Sequence, residues 1–355
     1  MEDRMPTKKK GKKPEDSDSE DELEQEILGE DEKGEVGGGS EPHIKSELTE
    51  LPGIGPKTEA KLRESGYPTI VSIAVATPSE LNAIAELGLA TCQKLIIAAR
   101  QKAEFTFKPA NLLYKLRQNI GKITTCSQNL DTLLGGGVEA QAITEAFGEF
   151  RTGKTQIAHQ LAVCVQQPPE KGGLNGSAIY IDSEGTFRPE RIVQMATALG
   201  LDPDKILENI QVARVYNSDH QMFITDKAQE MIVEKNVKLI VVDSVTSHFR
   251  AEYMGRENLP TRQGKLNRHL HTLQRMADIY SCVVFLTNQA MADPAAIFGD
   301  PTRSVGGHIL AHVPQTRLYL KKSKDTRRVA KLIDSPSLPE GECIFTISEV
   351  GIRDP

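Results

Sequence analysis

From about residue 121 onward, short apolar runs of strand length alternate with amphipathic stretches. The runs are AITEAF (142–147), SAIYID (177–182), VKLIVVD (237–243) and SCVVFLT (281–287). Between them, GKLNRHLHTLQRMADIY sets Leu266, Leu270, Leu273 and Met276 at helical spacing, and TQIAHQLAVCV reads as a further helix. This alternation predicts βαβ units around a mainly parallel sheet covered on both faces, an α/β core over 121–355. Three later runs, TRLYL, RVAKLI and CIFTI, come closely spaced and predict an antiparallel extension.

Residues 46–104 are compact and helical in pattern. LPGIGPKTEAKLRESG places Gly53 and Gly55 in a tight turn that opens a helix, with Ala60 and Leu62 as core contacts. In TPSEL, Thr77 suits an N-cap, Pro78 the first helical position, and Glu80 completes a capping-box spacing. AELGLATCQKLIIAAR (85–100) is a weaker echo, and 105–120 joins this small domain to the core. Residues 1–45 mix charge blocks with Gly and Ser and lack apolar periodicity. They predict a disordered acidic tail, because nothing there can be buried to offset the ordering entropy. A solubilising segment and a partner-binding arm both fit it.

Charge changes the picture only once it is divided. The chain's net charge is −6, but residues 1–45 hold 15 acidic and 8 basic side chains, so residues 46–355 carry about +1. A nucleic-acid site must then be a local basic patch. The five cysteines are scattered without a CxxC pair, which excludes a zinc ribbon and reads as buried side chains in a reducing, intracellular compartment. No apolar run approaches the ~20 residues of a membrane span, and no apolar h-region follows the N-terminal lysines.

The chemistry begins at GEFRTGKTQ, residues Gly148, Glu149, Phe150, Arg151, Thr152, Gly153, Lys154, Thr155 and Gln156. Its spacing is that of a P-loop, and it lies between a strand and a helix. Loop N–H groups would cradle phosphates, Lys154 would reach the β/γ-phosphates, and the Thr155 hydroxyl would ligate Mg²⁺. Asp243 closes the apolar strand LIVVD, where a carboxylate faces the ligand crevice and can hold the metal through water; capping the next turn is the plainer reading. Asp182 and Glu184 end another strand, and either could deprotonate an attacking water, with Glu184 the better candidate because Asp182 lies nearer the buried strand. Thr287, Asn288 and Gln289 are expected at a strand tip, where they could bond a γ-phosphate or merely cap.

Two segments without an apolar core pattern follow strand tips. One is 249–263, with Arg250, Tyr253, Arg256 and Arg262; the other is 290–308, with Phe298, Arg303, Gly306 and Gly307. Basic residues interleaved with aromatics suit single-stranded DNA, and loops this long carry function or are mobile. The N–H groups at the Gly53/Gly55 turn can bind a DNA phosphate, or the turn can serve packing alone.

The order and combination of GEFRTGKTQ, IDSEGTFRPERI, TNQ, GGHILAH and LIDSPSLPEGE resemble the RecA/RadA strand-exchange recombinases, in their archaeal and eukaryotic branch, from about residue 46 to 355. The resemblance implies a helix–hairpin–helix domain, a linker and a RecA-like ATPase core using ATP and Mg²⁺. It implies Lys154, Thr155 and Asp243 around phosphate and metal, Glu184 as catalytic base, Lys154 and Gln289 as further catalytic residues, and Arg191 stacked on adenine. It also implies that Asp334 and Pro339 cap a neighbouring copy's nucleotide and that His312 senses its γ-phosphate. Phe107 and Ala110 match the F-x-x-A motif through which copies polymerise; ordinary linker packing is the plainer alternative for Phe107. The partners so implied are single-stranded DNA, homologous duplex, further copies in a helical filament (with rings at rest as an option), and mediator proteins. Asp293 stands where archaeal relatives commonly carry Arg, SVGG replaces Pro-Ile-Gly-Gly, and a proline lies beside the sensor histidine. The rivals are a mediator paralogue that loads another recombinase, a ring-shaped motor on the same core, and a small-molecule P-loop kinase.

Overall fold

The computed structural model describes residues 47–85, 87–103, 107–292 and 302–355, so the charged segment 1–45 lies outside the described residues. The helical texture after it becomes a 3₁₀ turn at Glu47–Glu50 and helices α1 (Pro56–Glu64), α2 (Ile70–Ala74), α3 (Pro78–Ala85) and α4 (Leu89–Lys102). Gly53 takes a φ of 80° in the turn, and Gly55 is the N-cap of α1. The capping box forms: the Thr77 N–H donates to Glu80 Oε2 at 2.9 Å and the Glu80 N–H to Thr77 Oγ1 at 3.2 Å. Leu62 is buried with Leu48, Ile73 and Leu81. Ala60, expected beside it, is exposed, because two helical residues span some 200° and the pair cannot share a face. Most of the link at 105–120 is itself helical, as α5 (Ala110–Gln118), with no buried residue.

The core opens with a ribbon of β1 (Lys122–Ile123) and β2 (Val138–Glu139), with α6 (Gln128–Leu133) between them. It continues through β3 (Ala142–Gly148), α7 (Lys154–Cys164), β4 (Ser177–Asp182), α8 (Pro189–Ala198), α9 (Pro203–Glu208), β5 (Ile210–Arg214), α10 (Ser218–Glu234) and β6 (Val237–Asp243). Then come α11 (Ser247–Glu252), α12 (Leu259–Tyr280), β7 (Val283–Ala292), β8 (Thr302–Ser304) and α13 (Gly307–His312). The last strands are β9 (Thr316–Lys322), β10 (Arg327–Asp334), β11 (Gly341–Ser348) and β12 (Gly351–Arg353).

In the large sheet the strands β9-β3-β7-β6-β4-β5 run parallel. On the far side of β9, the strands β10, β11 and β12 follow antiparallel, as their close spacing requires. Strands β3 and β4 are buried along their whole length, and apolar clusters lie on both faces, one around α7 and α8 and the other around α10 and α12.

Two segments expected as loops contain regular elements. Segment 249–263 is helical at both ends: fully buried Phe249 anchors α11, and Pro260 in the first turn of α12 starts that helix ahead of Gly264. Segment 290–308 starts as a hairpin, because β7 runs past its expected end and Ala290–Ala292 pair with Thr302–Ser304. Among the described residues no helix is long and apolar enough to cross a membrane.

Candidate nucleotide site and its surroundings

Strand β3 ends at Gly148 and α7 begins at Lys154, so residues 149–153 form the turn between them. A Cβ at Gly148 would sit 2.3 Å from the Leu320 carbonyl oxygen of β9, so the junction admits glycine alone. Gly153, the N-cap of α7, takes a φ of 109°, and a Cβ there would meet Ile347 at 2.6 Å. The whole stretch Gly148–Gln156 lines a cleft of about 640 Å³, which Glu184, Asp243, Thr287 and Gln289 complete. Lys154 Nζ donates to the carbonyls of Gly148 (2.9 Å) and Glu149 (2.8 Å). Burial pulls its pKa down, against the charges of Asp243 and Glu184.

Two strand ends build the acidic wall. Asp243, at the tip of β6, is buried and accepts hydrogen bonds from Tyr180 Oη (2.7 Å), from Thr186 Oγ1 (3.3 Å) and, on its other oxygen, from the Thr287 hydroxyl. Burial first, and then the Asp243 charge, push the Tyr180 phenol well up, so it stays a donor. Asp182 accepts from the backbone N–H groups of Glu184 (3.1 Å), Gly185 (2.7 Å), Thr186 (3.1 Å) and Phe187 (3.2 Å). Its carboxylate is spent on shaping the turn that carries Glu184 to the cleft.

The pleat of β7 divides Thr287, Asn288 and Gln289, which lie within the strand and not at its tip. Thr287 and Gln289 face the cleft. Asn288 is turned away and fully buried, donating to Glu145 Oε1 (2.7 Å) and accepting from Thr246 Oγ1 (2.7 Å). Of the two uses open to these strand-end amides, bonding a γ-phosphate is left to Gln289, because Asn288 is bonded inside the sheet. Gln289 joins two neighbours: its Nε2 donates to Glu184 Oε1 (3.1 Å), and its Oε1 accepts from Arg250 Nη1 (3.3 Å).

Arg191 does not line this cleft. Its guanidinium donates to Gln156 Oε1 (2.7 Å) and to the Glu349 carbonyl (2.7 Å), tying α8 to the P-loop helix and the β11–β12 turn. His312, stacked on His308 with ring centroids 6.2 Å apart, is exposed, as are Asp334 and Pro339; none of the three lines the cleft within the same chain. Tyr253 lies under Lys265 Nζ at 5.1 Å from its ring centroid, Arg256 is exposed in the turn before α12, and Arg262 sits in the first turn of α12. Arg303 is exposed on β8, while Gly306 and Gly307, at φ of 114° and 64°, open α13. Phe298 and Asp293 lie outside the described residues. Gly53 and Gly55 are exposed at the start of α1, and Phe107 and Ala110 are exposed before and at the start of α5.

Sequence reasoning missed Tyr180, Thr186 and Thr287 as the donors around Asp243. It also missed Glu145, which is fully buried in β3 and bonded by Arg317 Nε at 2.8 Å. A glutamate inside the apolar run AITEAF was the available signal.

Residues 116–355 match the Rad51 family, and residues 45–101 match the SAM-like helix–hairpin–helix tandem. The chain belongs to the Rad51 family. It is 56% identical over 309 residues to the DNA repair and recombination protein RadA of Aeropyrum pernix, covering 87% of this chain and 97% of that protein. The proteins of the same name from Ignicoccus hospitalis (55% identical, 87% and 95% covered) and Metallosphaera sedula (54%, 86% and 95%) are similarly near. As a Rad51-family protein the chain is a strand-exchange recombinase of DNA repair and a DNA-dependent ATPase, so it binds ATP and DNA.

Proposed function

We propose that ATP bound between copies of this chain fixes a helical filament on single-stranded DNA. The filament holds that strand for pairing with homologous duplex and for strand exchange. The observation that carries this reading is the chain of contacts Arg250–Gln289–Glu184, which joins a basic surface segment to the P-loop cleft through one amide.

In this reading Lys154 and the N–H groups of the loop hold the phosphates. Glu184 takes a proton from the water that attacks the γ-phosphate. DNA phosphate competing for Arg250 frees Gln289 to reorient the Glu184 carboxylate, which couples DNA binding to hydrolysis. The hydroxyl of Thr155 and the carboxylate of Asp243 are hard oxygen donors. No cluster of three or more His, Cys, Asp or Glu forms a metal cage among the described residues, so a cation there takes further ligands from nucleotide and water, as Mg²⁺ does. Bound Mg²⁺ supplies charge neutralisation on the phosphate oxygens.

Arg191 faces the adenine once α8 and the β11–β12 turn adjust around it. His312, Asp334 and Pro339 complete the nucleotide site of a neighbouring copy, which agrees with their distance from their own cleft. Phe107 and Ala110 dock on that neighbour. Edge strand β5 and the start of α10 offer a surface for it, with exposed Val212, Tyr216 and Phe223. Arg250, Tyr253, Arg256, Arg262, Phe298, Arg303, Gly306 and Gly307 contact DNA, with Gly53 and Gly55 as a further phosphate contact.

ATP hydrolysis measured with and without single-stranded DNA tests the reading. DNA accelerates the wild type, Arg250→Ala loses most of that acceleration, and Glu184→Gln slows hydrolysis about 10²–10⁴-fold. Hydrolysis indifferent to DNA, or untouched by Glu184→Gln, contradicts it.

A further inference from the structure

The cysteines, read from the sequence as separate buried side chains, include one close pair. Cys126, in the turn between β1 and α6, and Cys164, the last residue of α7, bring their sulfurs to 3.2 Å although they are 38 positions apart. Gln160 Nε2 donates to both sulfurs at 3.4 Å. Cys164 is fully buried. Cys126 is half-buried and opens onto a shallow cleft with Thr124, Gln128, Asp131 and Gly135.

We propose that Cys126 and Cys164 are a redox site, at which a hydroperoxide oxidises Cys126 and Cys164 then closes an intrachain disulfide between the segment before α6 and the P-loop helix.

The electrons balance in two steps. The Cys126 thiolate attacks one peroxide oxygen, the O–O bond breaks, and the departing oxygen takes a proton, leaving a sulfenic acid on Cys126. The Cys164 sulfur then attacks the Cys126 sulfur, giving up its proton; the S–S bond forms, the S–O bond breaks, and water leaves. Two thiols lose two electrons, and the peroxide gains them.

The environment divides these roles. The hydrogen bond from Cys164, with help from the Arg353 charge, holds the Cys126 thiol below its usual range. The same bond and complete burial push Cys164 well up. The reachable sulfur is therefore the better thiolate, and the buried one is placed to resolve it. The sulfurs must close from 3.2 Å to about 2.05 Å, and Cys126 can supply the movement because it sits in a turn, at φ 65°, outside any helix. Cys92 and Cys282 are buried in other apolar clusters, and burial pushes the Cys343 thiol up to about 11.

The bond would close a loop containing the whole P-loop, so it restricts the unfolded chain and raises stability. The test treats the full chain with hydrogen peroxide or with a dithiol reductant, alkylates it, maps the peptides without reduction and records thermal melting. Expected are a dominant Cys126–Cys164 peptide and a Tm about 5–10 °C higher in the oxidised sample. In Cys164→Ser the link is absent and a sulfenic-acid trap labels Cys126. The wild-type map stands alone if that variant fails to fold. Free thiols at both positions after peroxide, a dominant link between other cysteines, or Cys126 driven to sulfinic acid without a link would each overturn the proposal. A link without a rise in Tm would refute the stabilising role.

Discussion

Asp243 shows how the cleft is tuned one residue at a time. Its carboxylate lies buried among three hydroxyl donors, those of Tyr180, Thr186 and Thr287, and these fix its orientation without neutralising it. Tyr180→Phe removes one donor and leaves the ring's packing against His159 and Phe187. We expect a loss of about ten- to a hundredfold in kcat/KM for hydrolysis, read from a titration of ATP at fixed excess Mg²⁺, in line with roughly 1.5–3 kcal/mol for one bond to a charged group. An unchanged value would show that Asp243 needs no such support. The P-loop and Asp243 were legible in the sequence because strand, glycine spacing and terminal carboxylate are local signals. The donors around Asp243 were not, since they arrive from β4, the turn after it and β7. Asn288, left open between a phosphate contact and a cap, is decided by the strand's alternation, which sends its side chain to the face opposite Thr287 and Gln289.

At the scale of elements, β3, β7 and β9 are tied by a polar contact inside the sheet. Arg317 of β9 and Asn288 of β7 both bond Glu145 of β3, at 2.8 and 2.7 Å. Burial still raises the Glu145 pKa, with Arg317 acting against it. Arg317→Met strands a buried carboxyl group, and we expect a loss of about 3–5 kcal/mol in urea unfolding. The double variant Glu145→Leu/Arg317→Met should recover much of that loss, because no buried charge then lacks its partner. Equal losses in the single and double variants would contradict this account. The buried strands were readable from sequence because each is a continuous apolar run. The hairpin of β7 with β8 was not, since it depends on residues ten or more positions away. The early start of α12 was hidden by its polar first turns.

At the scale of the molecule, the small helical unit rests on the core through Arg275 of α12, 3.4 Å from Glu80, and through Tyr280 Oη on the Gly66 carbonyl at 3.5 Å. Stability also has a pH signature. His159 and His269 are buried, and burial pulls both imidazoles down to about 4, against about 6.5 when unfolded. Between those values the unfolded chain binds more protons. Their contribution is therefore complete above about pH 6.5 and is lost as pH falls towards 4. Unfolding free energies extrapolated from urea titrations at pH 7 and pH 5 should differ by roughly 1–2 kcal/mol per histidine, and His269→Gln should shrink that difference if it folds. A pH-independent free energy over this range would contradict the assignment. The roles proposed for His312, Asp334, Pro339 and Phe107 belong to this scale as well, because none of the four lines its own chain's cleft.

The measurement that bears most directly on the central claim is three-strand exchange between circular single-stranded DNA and homologous linear duplex. It is run with ATP and Mg²⁺, beside an identical reaction using Lys154→Ala. Joint molecules are expected from the wild type and none from the variant. DNA-stimulated hydrolysis without joint molecules would point instead to a mediator or a motor, and exchange by Lys154→Ala would contradict control of the active filament by the P-loop.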